Sequence, residues 1–286
     1  MLLLVDLDGV VYRGSEPVPG VADVLRTRKE AGDDIVYVTN NSRWYRSEYV
    51  TRLQAMGAPV SPDMIVSSAR ATALYLAELQ PPVRRVLAVG GPGLVRELHD
   101  VGLEVIPCGE AADRWLENGR NVAEAVGEVD VVVVGLDVDF SYARLACASG
   151  AVRAGARFVA SNRDPVYPLE NGLNPGAGCM VVAVEMASGA LPFVIGKPQP
   201  HLLEVAARAA GVPVAEVVMI GDQPATDIGA ARAVGARSIL MLTGVTTREQ
   251  AEALPPALRP TEIAADAREL AEALGRLAAS DLPTGR

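Results

Sequence analysis

Residues 2–9 read LLLVDLDG, an apolar run that ends in two aspartates and a glycine. A short run of this kind, apolar on both faces, is typical of a strand buried within a parallel sheet. Because side chains alternate along a strand, Asp6 and Asp8 are expected to emerge on the same side. The stretch therefore predicts a buried strand over Leu2–Asp6 with two carboxylates at its carboxyl end.

Similar apolar runs recur along the chain and alternate with amphipathic segments. Buried strands that alternate with helices predict an α/β fold, with a parallel sheet and helices on both faces. Ligands in such folds bind beyond the carboxyl ends of the strands, so the polar residues there deserve most scrutiny. The further predicted strands are Asp34–Thr39, Arg85–Gly90, Val131–Gly135, Arg157–Ala160, Phe193–Ile195, Val217–Ile220 and Ser238–Leu242. The predicted helices are Val21–Ala31, Ser47–Met56, Ser68–Leu79, His201–Ala210, Thr226–Val234 and a closing helix near Asp266–Ala279.

The 286 residues are 50% hydrophobic and carry 26 Lys and Arg against 35 Asp and Glu, a net charge of −9. This composition indicates a globular protein, and its acidity opposes binding to nucleic acid or to an anionic membrane. Three scattered cysteines (Cys108, Cys147 and Cys179) match no disulfide or zinc pattern and favour a reduced, cytoplasmic compartment. Charges interrupt every long apolar run, including the start of the chain, so neither a membrane span nor a signal peptide is expected.

Polar residues end three more of the predicted strands. Residues 39–41 (Thr-Asn-Asn) offer a hydroxyl, amides and backbone N–H groups ahead of a helix, which is typical of an anion site. Lys197 places a compact positive charge at another strand end. Asp222 ends a further strand, and Asp227 follows five residues later at a predicted helix start. This pair could hold a hard cation.

Each of these segments also has an ordinary structural interpretation when it is taken alone. Strand-end aspartates often belong to turns, and a carboxylate favours a helix N-terminus. Asp137 and Asp139 have the same spacing as Asp6 and Asp8 but lack the accompanying polar segments. We expect Asp139 to be a turn residue before a helix that starts near Ser141. The segment Gly90-Gly91-Pro92-Gly93 lacks the full dinucleotide-binding spacing and favours a plain strand-to-helix turn.

The four segments together indicate more than any one of them. Each follows a predicted buried strand, so all can meet at one edge of one sheet. Four acids, a hydroxyl and a lysine there suit a Mg²⁺ site beside a phosphate cradle, with a carboxylate nucleophile and a general acid. His99 and His201 lie outside these segments, which opposes a histidine-based mechanism.

The segments DLDGVVYRG (6–14), VTNNS (38–42), GKPQP (196–200) and GDQPATDI (221–228) resemble, in this order, the four motifs of the haloacid dehalogenase (HAD) superfamily. With LTGVTTRE (242–249), they are most similar to subfamily IIA, the branch of p-nitrophenyl, phosphoglycolate and pyridoxal phosphate phosphatases. The resemblance extends over nearly the whole chain. It implies a HAD-like Rossmannoid core with an inserted α/β cap domain.

The resemblance also implies a role for each motif residue. Asp6 is the nucleophile that becomes phosphorylated, Asp8 protonates the leaving oxygen and then activates water, and Lys197 steadies Asp6 and the phosphate. The implied holders of the phosphoryl oxygens are Thr39, Asn40 and Asn41. The implied ligands of Mg²⁺ are Asp6, the backbone carbonyl of Asp8 and Asp222, with Asp227 in support.

The spacing of the motifs predicts a second domain. Thr39 and Lys197 stand 158 positions apart (197 − 39), and the interval has strands and helices of its own. We therefore expect a core of residues 1–81 and 175–286, with an inserted cap over 82–174. Its loop Ser161–Gly178 resembles the substrate-facing loop of the branch, and Tyr167 stands where the pyridoxal phosphatase relatives have a substrate-contacting histidine. A structural hinge is the alternative role for this loop.

The expected function is a Mg²⁺-dependent phosphomonoesterase that acts on a small phosphorylated metabolite in the cytoplasm. A homodimer through the cap would suit the family. A phosphomutase and a catalytically idle ligand-binding relative are the alternatives, while a dehalogenase needs neither the cation nor an acid at position 8. The residues leave the substrate open among glycerol 3-phosphate, phosphoglycolate, sugar phosphates, nucleotides and pyridoxal phosphate.

Overall fold

The computed structural model describes residues 1–169 and 172–280. These residues form two compact units, which we call the first and the second unit. The first unit comprises residues 1–39, 49–66 and 197–280, and the second comprises residues 40–48, 67–169 and 172–196. The division into a core of 1–81 and 175–286 and a cap of 82–174 stays a prediction.

Strands and helices alternate along most of the chain. The strands are β1 (Leu2–Asp6), β2 (Tyr12–Arg13), β3 (Glu16–Pro17), β4 (Asp34–Thr39), β5 (Ile65–Ser67), β6 (Arg85–Val89), β7 (Glu104–Pro107), β8 (Val131–Val134), β9 (Arg157–Ala160), β10 (Val166–Leu169), β11 (Gly172–Pro175), β12 (Phe193–Val194), β13 (Val217–Gly221), β14 (Arg237–Met241) and β15 (Glu262–Ala264). The helices are α1 (Val21–Glu30), α2 (Arg46–Ala55), α3 (Ser68–Glu78), α4 (Pro92–Asp100), α5 (Cys108–Glu117), α6 (Val122–Val126), α7 (Tyr142–Arg153), α8 (Ala177–Ser188), α9 (His201–Ala209), α10 (Gly229–Ala233), α11 (Arg248–Glu252) and α12 (Ala267–Ser280). No helix in the described part of the chain has the length and apolar character needed to cross a membrane.

A six-stranded sheet in the order β15-β14-β13-β1-β4-β5 forms the core of the first unit. β1 lies near its middle and pairs in parallel with β13 on one side and with β4 on the other. Val5 lies opposite Ile220, and Asp6 lies opposite Val38. Every residue of β1 is buried, as its unbroken apolar run predicts. The carboxyl ends of these three strands therefore lie side by side at one edge of the sheet.

The second unit contains a five-stranded parallel sheet in the order β12-β9-β8-β6-β7. Its central strand β8 is four consecutive valines, all buried. Helices α5, α7 and α8 supply apolar side chains to the same core. Parallel sheets flanked by helices in both units confirm the predicted α/β class.

The predicted loop Ser161–Gly178 is more regular than expected. It contains β10 and β11, and α8 begins within its glycine-rich end. A Cβ atom on Gly176 would lie 2.2 Å from the carbonyl oxygen of Asp164, and one on Gly178 would lie 2.5 Å from that of Arg163. Close approach of two backbone segments therefore explains these glycines, and flexibility does not.

Candidate active site

A buried lysine joins two carboxylates in the first unit. Lys197 is 4% exposed, and its Nζ lies 2.6 Å from Oδ1 of Asp6 and 2.7 Å from Oδ1 of Asp227. Asp6 ends β1, and Asp227 lies in the short helical turn Pro224–Ile228 after β13. The structure thus brings together three residues that the sequence singles out in three separate segments.

Asp222 and Asp227 are fixed by backbone hydrogen bonds. Oδ2 of Asp227 accepts from the N–H groups of Asp222, at 3.1 Å, and Gln223, at 3.0 Å, so it holds the turn that carries Asp222. Oδ2 of Asp222 accepts from the N–H of Val245 at 3.1 Å, and the Asp222 carbonyl accepts from the hydroxyl of Thr246 at 2.7 Å. Oδ1 of Asp222 is buried and has no hydrogen-bond partner among the described residues.

The donor set suits a hard divalent cation. Carboxylate oxygens of Asp6, Asp222 and Asp227 lie within 4.8 Å of one another, and oxygen is the ligand that Mg²⁺ prefers. Two glycines keep side chains away from the carboxylate of Asp222. A Cβ on Gly9 would lie 2.4 Å from its Oδ2, and one on Gly244 would lie 1.8 Å away. The unpartnered Oδ1 of Asp222 and this glycine-lined space fit a bound metal ion.

Burial and neighbouring charges shift the pKa values of Asp6, Asp222 and Lys197. Desolvation raises the pKa of Asp6 well above its usual value, with Lys197 opposing the change and the other two carboxylates adding to it. Desolvation and then the charge of Asp227 raise the pKa of Asp222 from 3.8 to about 7. Burial alone would lower the pKa of Lys197, and the charges of Asp227 and Asp6 reverse this, so its pKa is raised. A further positive charge would relieve the repulsion among the acids.

Asp8 follows β1 on a more open surface. Its side chain is exposed, although partial desolvation by the surrounding protein raises its pKa. The charge of Arg52 opposes this shift, and the guanidinium of Arg52 lies 3.8 Å from the ring centroid of Tyr12. Sequence reasoning missed Arg52, because its position within α2 carries no local signal that it faces Asp8. The predicted metal ligand from Asp8 is its backbone carbonyl, and this role stays a prediction.

The three residues predicted to hold phosphoryl oxygens follow one another at the end of β4. Thr39 is buried as the last residue of that strand. Asn40, in the second unit, donates from Nδ2 to Oδ1 of Asp164 at 3.0 Å, and its carbonyl accepts from Nδ2 of Asn162 at 2.7 Å. Oδ1 of Asn41 accepts from the N–H of Arg43 at 2.9 Å. Asn162 and Asp164 therefore fix the loop, a contact that no sequence pattern indicates.

Tyr167 lies on β10 of the second unit, opposite Asn174 of β11, and it packs partly against the apolar core. Residues 170 and 171 of its predicted loop lie outside the described residues.

Asp137 and Asp139, whose spacing is the same as that of Asp6 and Asp8, are arranged as a turn. The N–H of Asp139 donates to Oδ1 of Asp137 at 3.0 Å, and Arg144 forms an ion pair with the same oxygen at 2.5 Å.

The comparisons with known families agree with this geometry. The model of a family described as haloacid dehalogenase-like hydrolase matches residues 3–104, and a second model of HAD-like hydrolases matches residues 194–270. An acid sugar phosphatase of Staphylococcus epidermidis is 36% identical over 255 residues, which are 88% of this chain and 91% of that protein.

Two solved structures are similar over nearly the whole chain. A glycerol phosphate phosphatase of Mycobacterium tuberculosis, solved with magnesium, is 36% identical with a TM-score of 0.80, covering 94% of this chain and 75% of that one. A p-nitrophenyl phosphatase of Archaeoglobus fulgidus is 30% identical with a TM-score of 0.82, covering 95% and 98%. The relatives named here, whether compared by sequence or by fold, thus all carry the name of a phosphatase.

Proposed function

Since this chain belongs to the haloacid dehalogenase-like hydrolases and is a phosphoric monoester hydrolase, we propose that it dephosphorylates small metabolites through a phosphoaspartate on Asp6. The observation that carries the proposal is the contact of the buried Lys197 ammonium with Asp6, beside Asp222 and Asp227. A carboxylate can approach an anionic phosphate only where nearby positive charge offsets their repulsion. The lysine and the cluster of acids support such a site.

The proposed reaction has two displacements at phosphorus. The carboxylate of Asp6 attacks the phosphorus atom, the bond to the leaving oxygen breaks, and Asp8 gives its proton to that oxygen. Asp8 then removes a proton from water, which attacks the phosphoaspartate and releases inorganic phosphate and Asp6. Desolvation raises the pKa of Asp8, and this direction favours the protonated form that a general acid needs.

Positive charge and hydrogen-bond donors complete the proposed machinery. We assign the phosphoryl oxygens to Thr39, Asn40 and Asn41, as the sequence predicts. Bound Mg²⁺ would supply positive charge at the attacked phosphoryl group. Its proposed ligands are Asp6, the backbone carbonyl of Asp8 and Asp222, with Asp227 in support.

The proposed substrates are small phosphorylated metabolites. The names of the relatives, an acid sugar phosphatase and a glycerol phosphate phosphatase, support a small polyol or sugar phosphate. The proposal includes a cytoplasmic location, supported by three free cysteines. It also includes a homodimer through the second unit, supported by the exposed apolar side chains of Leu116 and Tyr142.

A phosphatase screen tests the proposal directly. We expect Mg²⁺-dependent release of inorganic phosphate from p-nitrophenyl phosphate and from a subset of about a hundred phosphorylated metabolites. Transfer of the phosphoryl group within a sugar phosphate, without free phosphate, would instead identify a phosphomutase. Binding of metabolites without turnover of any would identify an idle relative and contradict the proposal.

Replacement of Tyr167 by histidine is expected to redistribute substrates without removing hydrolysis. Histidine adds a hydrogen-bonding ring that can carry positive charge, which favours an anionic aromatic ester. One side chain of this kind shifts discrimination by roughly 10- to 200-fold. We expect kcat/KM for pyridoxal phosphate to rise relative to p-nitrophenyl phosphate, measured on purified Tyr167→His and wild-type protein.

Lys197→Ala is the matched control, because Lys197 acts on the phosphoryl group that all substrates share. This variant is expected to depress pyridoxal phosphate and p-nitrophenyl phosphate hydrolysis by a common factor. If Tyr167→His also lowers both by one factor, the loop has a structural role and our specificity assignment is wrong.

A further inference from the structure

A cavity of about 390 Å³ lies within the second unit. Leu136, Phe140 and Met180 give it apolar walls, and Tyr167 and Arg43 complete them. This volume and this mixture of apolar walls with a few polar groups are typical of a site for a small organic molecule. The cavity therefore offers room for a ring-sized apolar group.

The backbone of Arg43 is fixed on both sides. Its N–H donates to Oδ1 of Asn41 at 2.9 Å, and its carbonyl accepts from the N–H of Gly93 at 3.2 Å. A Cβ atom on Gly93 would lie 2.4 Å from the same carbonyl oxygen, so only glycine permits this approach. Gly93 thus holds the backbone of Arg43 in place, which gives this glycine a packing function.

The side chain of Arg43 lies in the wall of this cavity. It is half-buried, and among the described residues its guanidinium forms neither an ion pair nor a hydrogen bond. By contrast, Arg144 pairs with Asp137, the carboxylate in the same wall of the cavity, and Arg163 pairs with Glu185. The carboxylate of Asp137 is therefore paired with Arg144 and does not form an ion pair with Arg43.

We infer that Arg43 selects phosphomonoesters whose organic part combines an apolar, ring-sized body with a second anionic group. This inference rests on the proposed function, and in particular on Asn41 as a holder of phosphoryl oxygens. Arg43 follows Asn41 by two residues, a span of at most about 7 Å, and the two are hydrogen-bonded. An ester held at Asn41 would therefore lie near Arg43, which is one of the residues that line the cavity.

The chemistry of the guanidinium explains the preference. Arginine always carries its charge, and its planar donors match a carboxylate. Apolar walls strengthen this attraction, because water competes less for both groups. A hydrogen bond to a charged group discriminates by roughly 10- to 150-fold against a ligand that lacks the charge.

Two nearly isosteric esters test the inference: 4-carboxyphenyl phosphate and 4-carbamoylphenyl phosphate, which differ in charge. The wild-type protein with Mg²⁺ is expected to prefer the carboxylated ester by about 10-fold or more in kcat/KM. Arg43→Ala is expected to remove this preference, mainly through KM. Arg43→Gln, which keeps most of the side-chain volume, carries the test if Arg43→Ala fails to fold.

Arg96→Ala is the matched control, because the guanidinium of Arg96 stacks on the ring of Tyr45 at 3.9 Å. It is expected to keep the wild-type preference. Equal kcat/KM for the two esters in the wild-type protein, or an equal loss on both in Arg43→Gln, would overturn the inference alone. If the wild-type protein with Mg²⁺ hydrolyses none of the three compounds (the two esters and p-nitrophenyl phosphate), the proposed function itself is overturned.

Discussion

Asp6→Asn is expected to keep the fold and to lose about 10⁴-fold or more in turnover. The amide has nearly the same shape as the carboxylate, and its oxygen can still accept a hydrogen bond from Lys197. It is a far weaker nucleophile, and no other group in the proposed mechanism can form the covalent intermediate. Lys197 also keeps its second partner, Asp227, at 2.7 Å, so no buried charge is left unpaired.

The measurement combines kcat on p-nitrophenyl phosphate with acid-quench trapping of the labelled phosphoenzyme. The wild-type protein is expected to yield label on Asp6, and Asp6→Asn to yield none. Asp139→Asn is the matched control, since Asp139 is exposed and belongs to the turn before α7. Label on Asp137 or Asp139 would show that the wrong pair of aspartates was chosen.

The sequence predicts the strands of the first unit better than the later helices of the second. The bounds of β1 and β4 agree with prediction, because each is an unbroken apolar run that ends abruptly at polar residues. β11 escapes prediction because all four of its residues are exposed, so its pattern shows no buried face. The start of helix α8 is not predicted, because Gly176 and Gly178 look like turn residues in the sequence. In the structure these glycines instead permit close backbone packing.

The candidate site divides in the same way. The sequence singles out Asp6, Asp222 and Asp227, because each lies at or shortly after the carboxyl end of a strand. Parallel strands bring these ends to one edge of the sheet, however far apart they lie in the chain. The residues that hold the site in place through hydrogen bonds cannot be predicted in this way. Asn162 bonds to the carbonyl of Asn40 from 122 positions away, and only the folded chain establishes that pairing.

Removal of divalent metal is expected to abolish activity, and Mg²⁺ to restore it. Without a cation, the buried carboxylates of Asp6, Asp222 and Asp227 repel one another and the incoming phosphate. Ca²⁺ is expected to restore activity poorly, because its larger and looser shell misaligns the attack. The measurement is hydrolysis of p-nitrophenyl phosphate after exhaustive chelation and after each metal is returned. Full activity after chelation would contradict the metal assignment.

Stability provides a second readout that does not depend on turnover. The pKa of Asp222 is raised from 3.8 to about 7, so in metal-free protein its stabilising contribution is present below about pH 4 and lost as the pH rises through about 7. A cation that binds only the folded state opposes this loss, by roughly 2.7 kcal/mol at a hundred times its Kd. We therefore expect Mg²⁺ to raise the Tm by several degrees at pH 8 and by much less at pH 5, where protons compete for Asp222. Asp222→Asn, which cannot ionise, should lose most of this pH-dependent gain, and an equal Mg²⁺ effect in the variant and the wild-type protein would place the cation elsewhere.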